Sequence, residues 1–176
     1  NVTQAQVSSL AALIADSAKV KSIGVADTSD NIASNWTALT ASSALTSITQ
    51  TGLVSPLTLT AAQYTGSTST LAKISGSYSV DVSAADAATA QTLASDSHVA
   101  SIDVTDTRAT VATKFAELTA NAKLSAIHFS GANNPMALTQ ALVLNGMDTL
   151  AKIQDLYTLA ISGVTAANLM DLADNL

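Results

Sequence analysis

Val20-Lys21-Ser22-Ile23-Gly24-Val25-Ala26-Asp27-Thr28 returns 79 residues later (99 − 20 = 79) as Val99-Ala100-Ser101-Ile102-Asp103-Val104-Thr105-Asp106-Thr107. The same shift carries Leu45, Ile48, Gly52, Pro56, Leu59 and Thr60 onto Leu124, Ile127, Gly131, Pro135, Leu138 and Thr139 without a gap. It also carries Leu71-Ala72-Lys73-Ile74 onto Leu150-Ala151-Lys152-Ile153. Of 78 aligned pairs 28 are identical, which makes residues 99–176 a second copy of residues 20–97. Residues 1–19 resemble the closing piece of a copy, residues 80–98, with Asp16-Ser17 echoing Asp96-Ser97. The expected organisation is one continuous solenoid over 1–176, with a partial repeat at 1–19, repeat 1 at 20–98 and repeat 2 at 99–176. Since it opens at Asn1 without a Met, the chain is expected to be a processed product or a piece of a larger polypeptide.

Within each copy the apolar period alternates between that of strands and that of helices. Ile23 and Val25 share one face of a strand over 20–25, with Ser22 and Gly24 on the other. Ile32, Trp36 and Leu39 lie at helical spacing in a helix expected from about Thr28 to Leu39. A second strand covers 45–49, 57–59 is extended, and Thr60-Ala61-Ala62-Gln63 reads as a capping box. A third strand is expected over 78–82, with a helix starting at Ser83-Ala84-Ala85-Asp86. Strand–helix units of this length imply parallel strands joined by right-handed crossovers. One apolar face per strand and one apolar stripe per helix imply a two-layer coil. The fold class predicted is therefore α/β: a right-handed, leucine-rich-repeat-like solenoid with a single parallel sheet and helices on one face.

Composition narrows function. Only 11% of residues are charged, against about a quarter in ordinary domains, so Ser, Thr, Asn and Ala must cover much of the surface. The net charge is −6, and seven scattered Lys and Arg make no basic stripe, which argues against nucleic acid as a partner. No apolar run approaches the roughly 18–20 residues of a membrane span, so no membrane insertion is expected. The absence of cysteine removes disulfides and thiolate chemistry.

The pattern Val-x-Ser-Ile-x-Val-x-Asp-Thr at 20–28 and 99–107, with Leu57-Thr58-Leu59-Thr60-Ala61-Ala62-Gln63, resembles repeat arrays of very large proteins exported by Gram-negative bacteria. The resemblance implies a surface-layer or adhesin-like role, export by a type I route, and an extracellular or cell-surface location. The calcium-binding Gly-Gly-x-Gly-x-Asp run of such proteins is missing here, so calcium binding is not implied.

Candidate chemistry is sparse. His98 and His128 have no second His nearby and no Cys, which reads as solvated side chains rather than a zinc site. The many serines include no Gly-x-Ser-x-Gly elbow to support a nucleophile. Asp27 and Asp106 share a repeat position at a strand end, where a helix N-cap is the expected role and a shared divalent cation the alternative. Trp36 and Phe115 are equivalent and read as core, with ligand stacking the alternative. The sequons at Asn1 and Asn35 are expected to be unused. Neither a catalytic group, a cofactor nor a metal is assigned. The candidate binding surface is the polar strand face, carrying Ser22, Thr49, Asp81, Ser101, Asp103 and His128.

The leading expectation is a non-catalytic structural or adhesive repeat segment, partnering itself head to tail or continuing into further repeats of the same chain. The alternative is a binding module whose polar sheet face takes a glycan or another surface. A spacer tolerates exchange between copies, whereas a binding face presents one local constellation that breaks the repeat. His128 and the loop Gly131-Ala132-Asn133-Asn134 are the places where such a break is expected.

Overall fold

The computed structural model describes residues 2–5 and 19–175. The chain divides into two compact units, Asn1–Val82 and Ser83–Leu176.

In the first unit β1 (Val2–Ala5), β2 (Ile23–Asp27) and β3 (Leu45–Gln50) form a parallel three-stranded sheet in that order. Ile23 pairs with Leu45 and Val25 with Ile48, and all four are buried. Between β2 and β3 run α1 (Ser29–Ser34) and α2 (Trp36–Ala41), whose Ile32, Trp36 and Leu39 complete the core. β4 (Leu57–Thr60), α3 (Ala61–Gly66) and α4 (Thr68–Leu71) follow, and β5 (Val80–Ala85) runs across the boundary between the units.

The second unit continues with α5 (Ala87–Leu93), β6 (Val99–Thr107), α6 (Arg108–Thr113), α7 (Phe115–Ala120) and β7 (Leu124–Ser130). Then come β8 (Met136–Thr139), α8 (Gln140–Asn145), α9 (Met147–Leu150), β9 (Leu159–Ser162), a 3-10 turn (Ala166–Asn168) and α10 (Leu169–Asn175). β6 pairs with β7 and β8 with β9, both in parallel.

The sequence repeat is a structural repeat. Element starts recur at the same interval: Ser29 and Arg108, Trp36 and Phe115, Leu57 and Met136, Val80 and Leu159 (in each case a difference of 79). The isolated bridge Ile48↔Ile74 recurs as Ile127↔Ile153. Gly52 and Gly131 end β3 and β7 with φ of 75° and 79°, a left-handed geometry that no strand can continue through and that glycine adopts without strain.

The α/β class and the parallel strands agree with the sequence reading, but the strands are divided among several small sheets. Beyond β3, among the described residues, lies only the single bridge at Ile74, after which Gly76 (φ 86°) turns the chain. The helix expected over 28–39 is in fact two. Asn35 leaves helical geometry (φ −109°, ψ 15°), and its side-chain amide donates to the Asn31 carbonyl at 2.9 Å. Ser67, Lys114 and Gly146 interrupt three further helical runs in the same way, so the break does not belong to one residue. The third strand starts at Val80 rather than Tyr78, and Ser83 lies within it. The next helix is capped by Asp86, whose carboxylate accepts from Thr89 N at 2.8 Å. The capping box at Thr60 and Gln63 is present in both directions. Asp16 and Ser17 lie outside the described residues.

Candidate functional site

Several sequence candidates have structural roles. Trp36 and Phe115 are fully buried core side chains. Asp27 and Asp106 sit one residue ahead of the true caps, Thr28 and Thr107, which accept from Asn31 N and Thr110 N. Each aspartate instead accepts from the cap residue's own N–H, Asp27 at 2.8 Å and Asp106 at 2.7 Å. Asp106 also accepts from Ala87 N at 3.1 Å. The Asn35 side-chain amide is engaged with its own helix, and the next residue is buried Trp36. His98 lies 3.5 Å from Asp96.

Of the six residues placed on the polar strand face, the structure brings Asp103 and His128 together, 3.6 Å apart (Oδ1 to Nε2). The register explains this: β6 and β7 pair Asp103 with Ala126 and Thr105 with His128, so the two side chains are diagonal neighbours on one face. Ser101 belongs to the same strand as Asp103, and it is half-buried. Ser22, Thr49 and Asp81 lie in the first unit, with Thr49 exposed on β3 opposite Ala26.

Sequence reasoning missed Asp155. Its Oδ2 lies 3.9 Å from His128 Nδ1 and accepts from Phe129 N at 2.6 Å. His128 is thus flanked by two carboxylates, and a protonated imidazole would pair with both. Asp103 Oδ1 is buried without a hydrogen-bond partner. The first copy has Gly24, Thr49 and Gly76 at these three places, so the cluster exists in the second copy alone. Among the described residues no group of His, Cys, Asp or Glu is arranged to hold a metal ion.

A second missed constellation lies beside it. Arg108, the residue after β6, extends its guanidinium over the ring of Phe129 at 4.5 Å. Phe129 in turn meets Tyr157 edge to face, with ring centroids 6.4 Å apart. Arg108, Asn133, Leu156, Tyr157 and Thr158 line a cavity of about 190 Å³. A wider groove of about 600 Å³, which Arg108 also lines, is bordered by Thr107, Ala112, Asn134 and Pro135. The first copy has Ser29, Gln50 and Ser77 where the second has Arg108, Phe129 and Leu156. Comparing copies for small polar residues replaced by charged or aromatic ones is the signal that would have found the group. A separate concavity beside Trp36 in the first unit, about 350 Å³, is bordered by Thr, Ala, Gln, Gly and Ser and carries no charge.

No known protein family, curated protein or solved structure matches this chain. Among the described residues no helix is long and apolar enough to cross a membrane.

Proposed function

We propose that this chain is a non-catalytic structural repeat segment of an exported, surface-located bacterial protein. It acts by stacking on further copies, either along one polypeptide or head to tail between chains. In this reading the strand–helix units wind as a right-handed, leucine-rich-repeat-like solenoid, with the small parallel sheets as its successive rungs.

One observation carries the reading. Ala85 and Ala90 are 0% exposed, and the Ala90 carbonyl accepts from Asn121 Nδ2 at 3.1 Å, so the next coil of the second unit covers this face. At the same repeat positions in the second copy stand Val164 and Leu169, which are 38% and 57% exposed. An apolar surface that the fold covers in one copy and leaves open in the next is a surface suited to a following coil. Because the two ends of such a slab differ, the contact is heterologous and propagates.

Analytical ultracentrifugation of the 17.7 kDa chain tests the reading. A concentration-dependent ladder of oligomers is the expected result, together with a single cooperative unfolding transition in a tandem fusion of two chains. A monomer at every concentration, with two independent transitions in the fusion, would overturn it.

A second reading, a carbohydrate- or surface-binding module using Ser22, Thr49, Asp81, Ser101, Asp103 and His128, is favoured by the local break in the repeat. Asp103, His128 and Asp155 replace Gly24, Thr49 and Gly76, which is what a spacer would not need. Glycan-array binding lost in His128→Thr would support it, and an array with no bound glycan would remove it.

A further inference from the structure

Arg108 is the sole arginine of the chain, and it is only 6% exposed. Its Nη1 donates to the Ala132 carbonyl and its Nη2 to the Leu156 carbonyl, each at 3.0 Å. A guanidinium carries five N–H donors, so three of them have no acceptor among the described residues. No carboxylate there pairs with Arg108 either. Two neutral carbonyls and the face of Phe129 position the charge without neutralising it, and a buried charge without a counter-charge is costly.

The first copy shows what the fold needs at this place. Ser29 accepts there from Gln50 Nε2 at 2.8 Å and from Ser55 N at 3.3 Å, which makes a closed, neutral cluster. The second copy replaces that cluster with a cation held at the wall of a cavity, at the carboxyl ends of β6 and β7. In open parallel α/β sheets ligands bind at the carboxyl ends of strands.

We propose that the cavity beside Arg108 binds a small organic carboxylate. The carboxylate supplies the missing negative charge and takes the remaining guanidinium donors, a pairing for which the planar fork of arginine is suited. Asn133 and Thr158 offer polar partners to the rest of the ligand, and Leu156 and Tyr157 offer an apolar wall. The volume, about 190 Å³, is about six times that of a water in the liquid, which fits one sugar acid or one aromatic acid. The site lies wholly within the second unit and does not depend on self-association.

The test uses the whole chain labelled with 15N, in which the single arginine gives one Nε–H resonance. Titration with D-glucuronate and with benzoate should move that resonance saturably, while D-glucose should leave it in place. A stronger response to glucuronate assigns the polar partners, and a stronger response to benzoate assigns the apolar wall. The double variant R108S/F129Q restores the residues of the first copy, and in it calorimetric affinity for the better acid should fall at least tenfold. The proposal fails if neither acid shifts the Arg108 resonance, if glucose shifts it equally, or if the folded variant binds as the wild type does. Should the variant not fold, the resonance of the wild-type chain decides alone.

Discussion

Trp36 donates its indole Nε1–H to Ser67 Oγ at 2.8 Å in the interior of the first unit, and in the second copy Phe115 and Gly146 occupy the same two places. The pairs are matched in shape and polarity. A buried tryptophan needs an acceptor for its N–H, and Ser67, which also donates to the Gln63 carbonyl, provides it. Phenylalanine has no such need, but a Cβ at position 146 would lie 2.2 Å from Phe115 Cε1 and 2.9 Å from the Leu142 carbonyl oxygen. Ser67→Ala should therefore destabilise by about 1–3 kcal/mol, the cost of an orphaned buried donor. Gly146→Ala should cost about 1–3 kcal/mol by overpacking. Urea unfolding of the two variants measures both, and unchanged midpoints would show that neither pairing matters to the core.

Ala84 adopts φ 52°, the only positive φ among the described non-glycine residues, and its repeat equivalent is Gly163 at φ 73°. The left-handed conformation costs a residue with a Cβ about 1–2 kcal/mol, partly offset by the greater unfolded-state entropy of glycine. Ala84→Gly should thus stabilise by roughly 0.5–1 kcal/mol, and Gly163→Ala should destabilise by a similar amount. No atom lies within 4 Å of a Cβ built at Gly163, so the loss there would come from backbone strain alone. Opposite shifts in thermal midpoint are the expected signature.

The repeat and the core were legible because they depend on apolar spacing, which the sequence displays directly. Ile23, Val25, Ile102 and Val104 are all buried, as their alternation implies. Ile102→Ala should accordingly cost about 2–4 kcal/mol, checked by denaturant titration. The breaks at Asn35 and Lys114 were not legible, since apolar spacing runs through them and only the backbone geometry changes. Half of the candidate site was hidden for a different reason. Arg108 follows the cap residue Thr107, where a cation normally lies in solvent, and nothing in its spacing tells that it turns inward. Tyr157 is masked by being identical to Tyr78 in the other copy. Asp155 reaches His128 through a bridge at Ile127 and Ile153 that contributes one residue pair and no strand.

Asp86 should make stability depend on pH. The backbone N–H of Thr89, and then its hydroxyl, hold the Asp86 carboxyl below its ordinary value. A carboxylate whose pKa is lowered on folding stabilises the fold above its unfolded pKa, and that contribution is lost as pH falls through the folded one. The wild-type thermal midpoint should therefore drop on acidification through the usual carboxylate range. Asp86→Asn keeps a capping oxygen but cannot titrate, so its curve should be flatter and should converge with the wild type in acid. Parallel curves for the two proteins would assign the pH dependence elsewhere.

Charge on the open apolar face should separate assembly from folding. Leu172 is only 7% exposed and its equivalent Leu93 is buried too, so Leu172→Lys would damage the chain's own core. Val7, at the opposite end, lies outside the described residues. Leu169 is the better position, because it is exposed while its equivalent Ala90 is fully covered, and it sits on α10, where Lys is a good helix former. Leu169→Lys should leave circular dichroism and the unfolding midpoint nearly unchanged, since surface substitutions usually stay within about ±0.5 kcal/mol. Burying that charge in a stacked joint would cost far more than that, so the same variant should sediment as the monomer at concentrations where the wild type forms oligomers. If the variant assembles as the wild type does, the face formed by Val164 and Leu169 is not the joint, and the association must run through another surface.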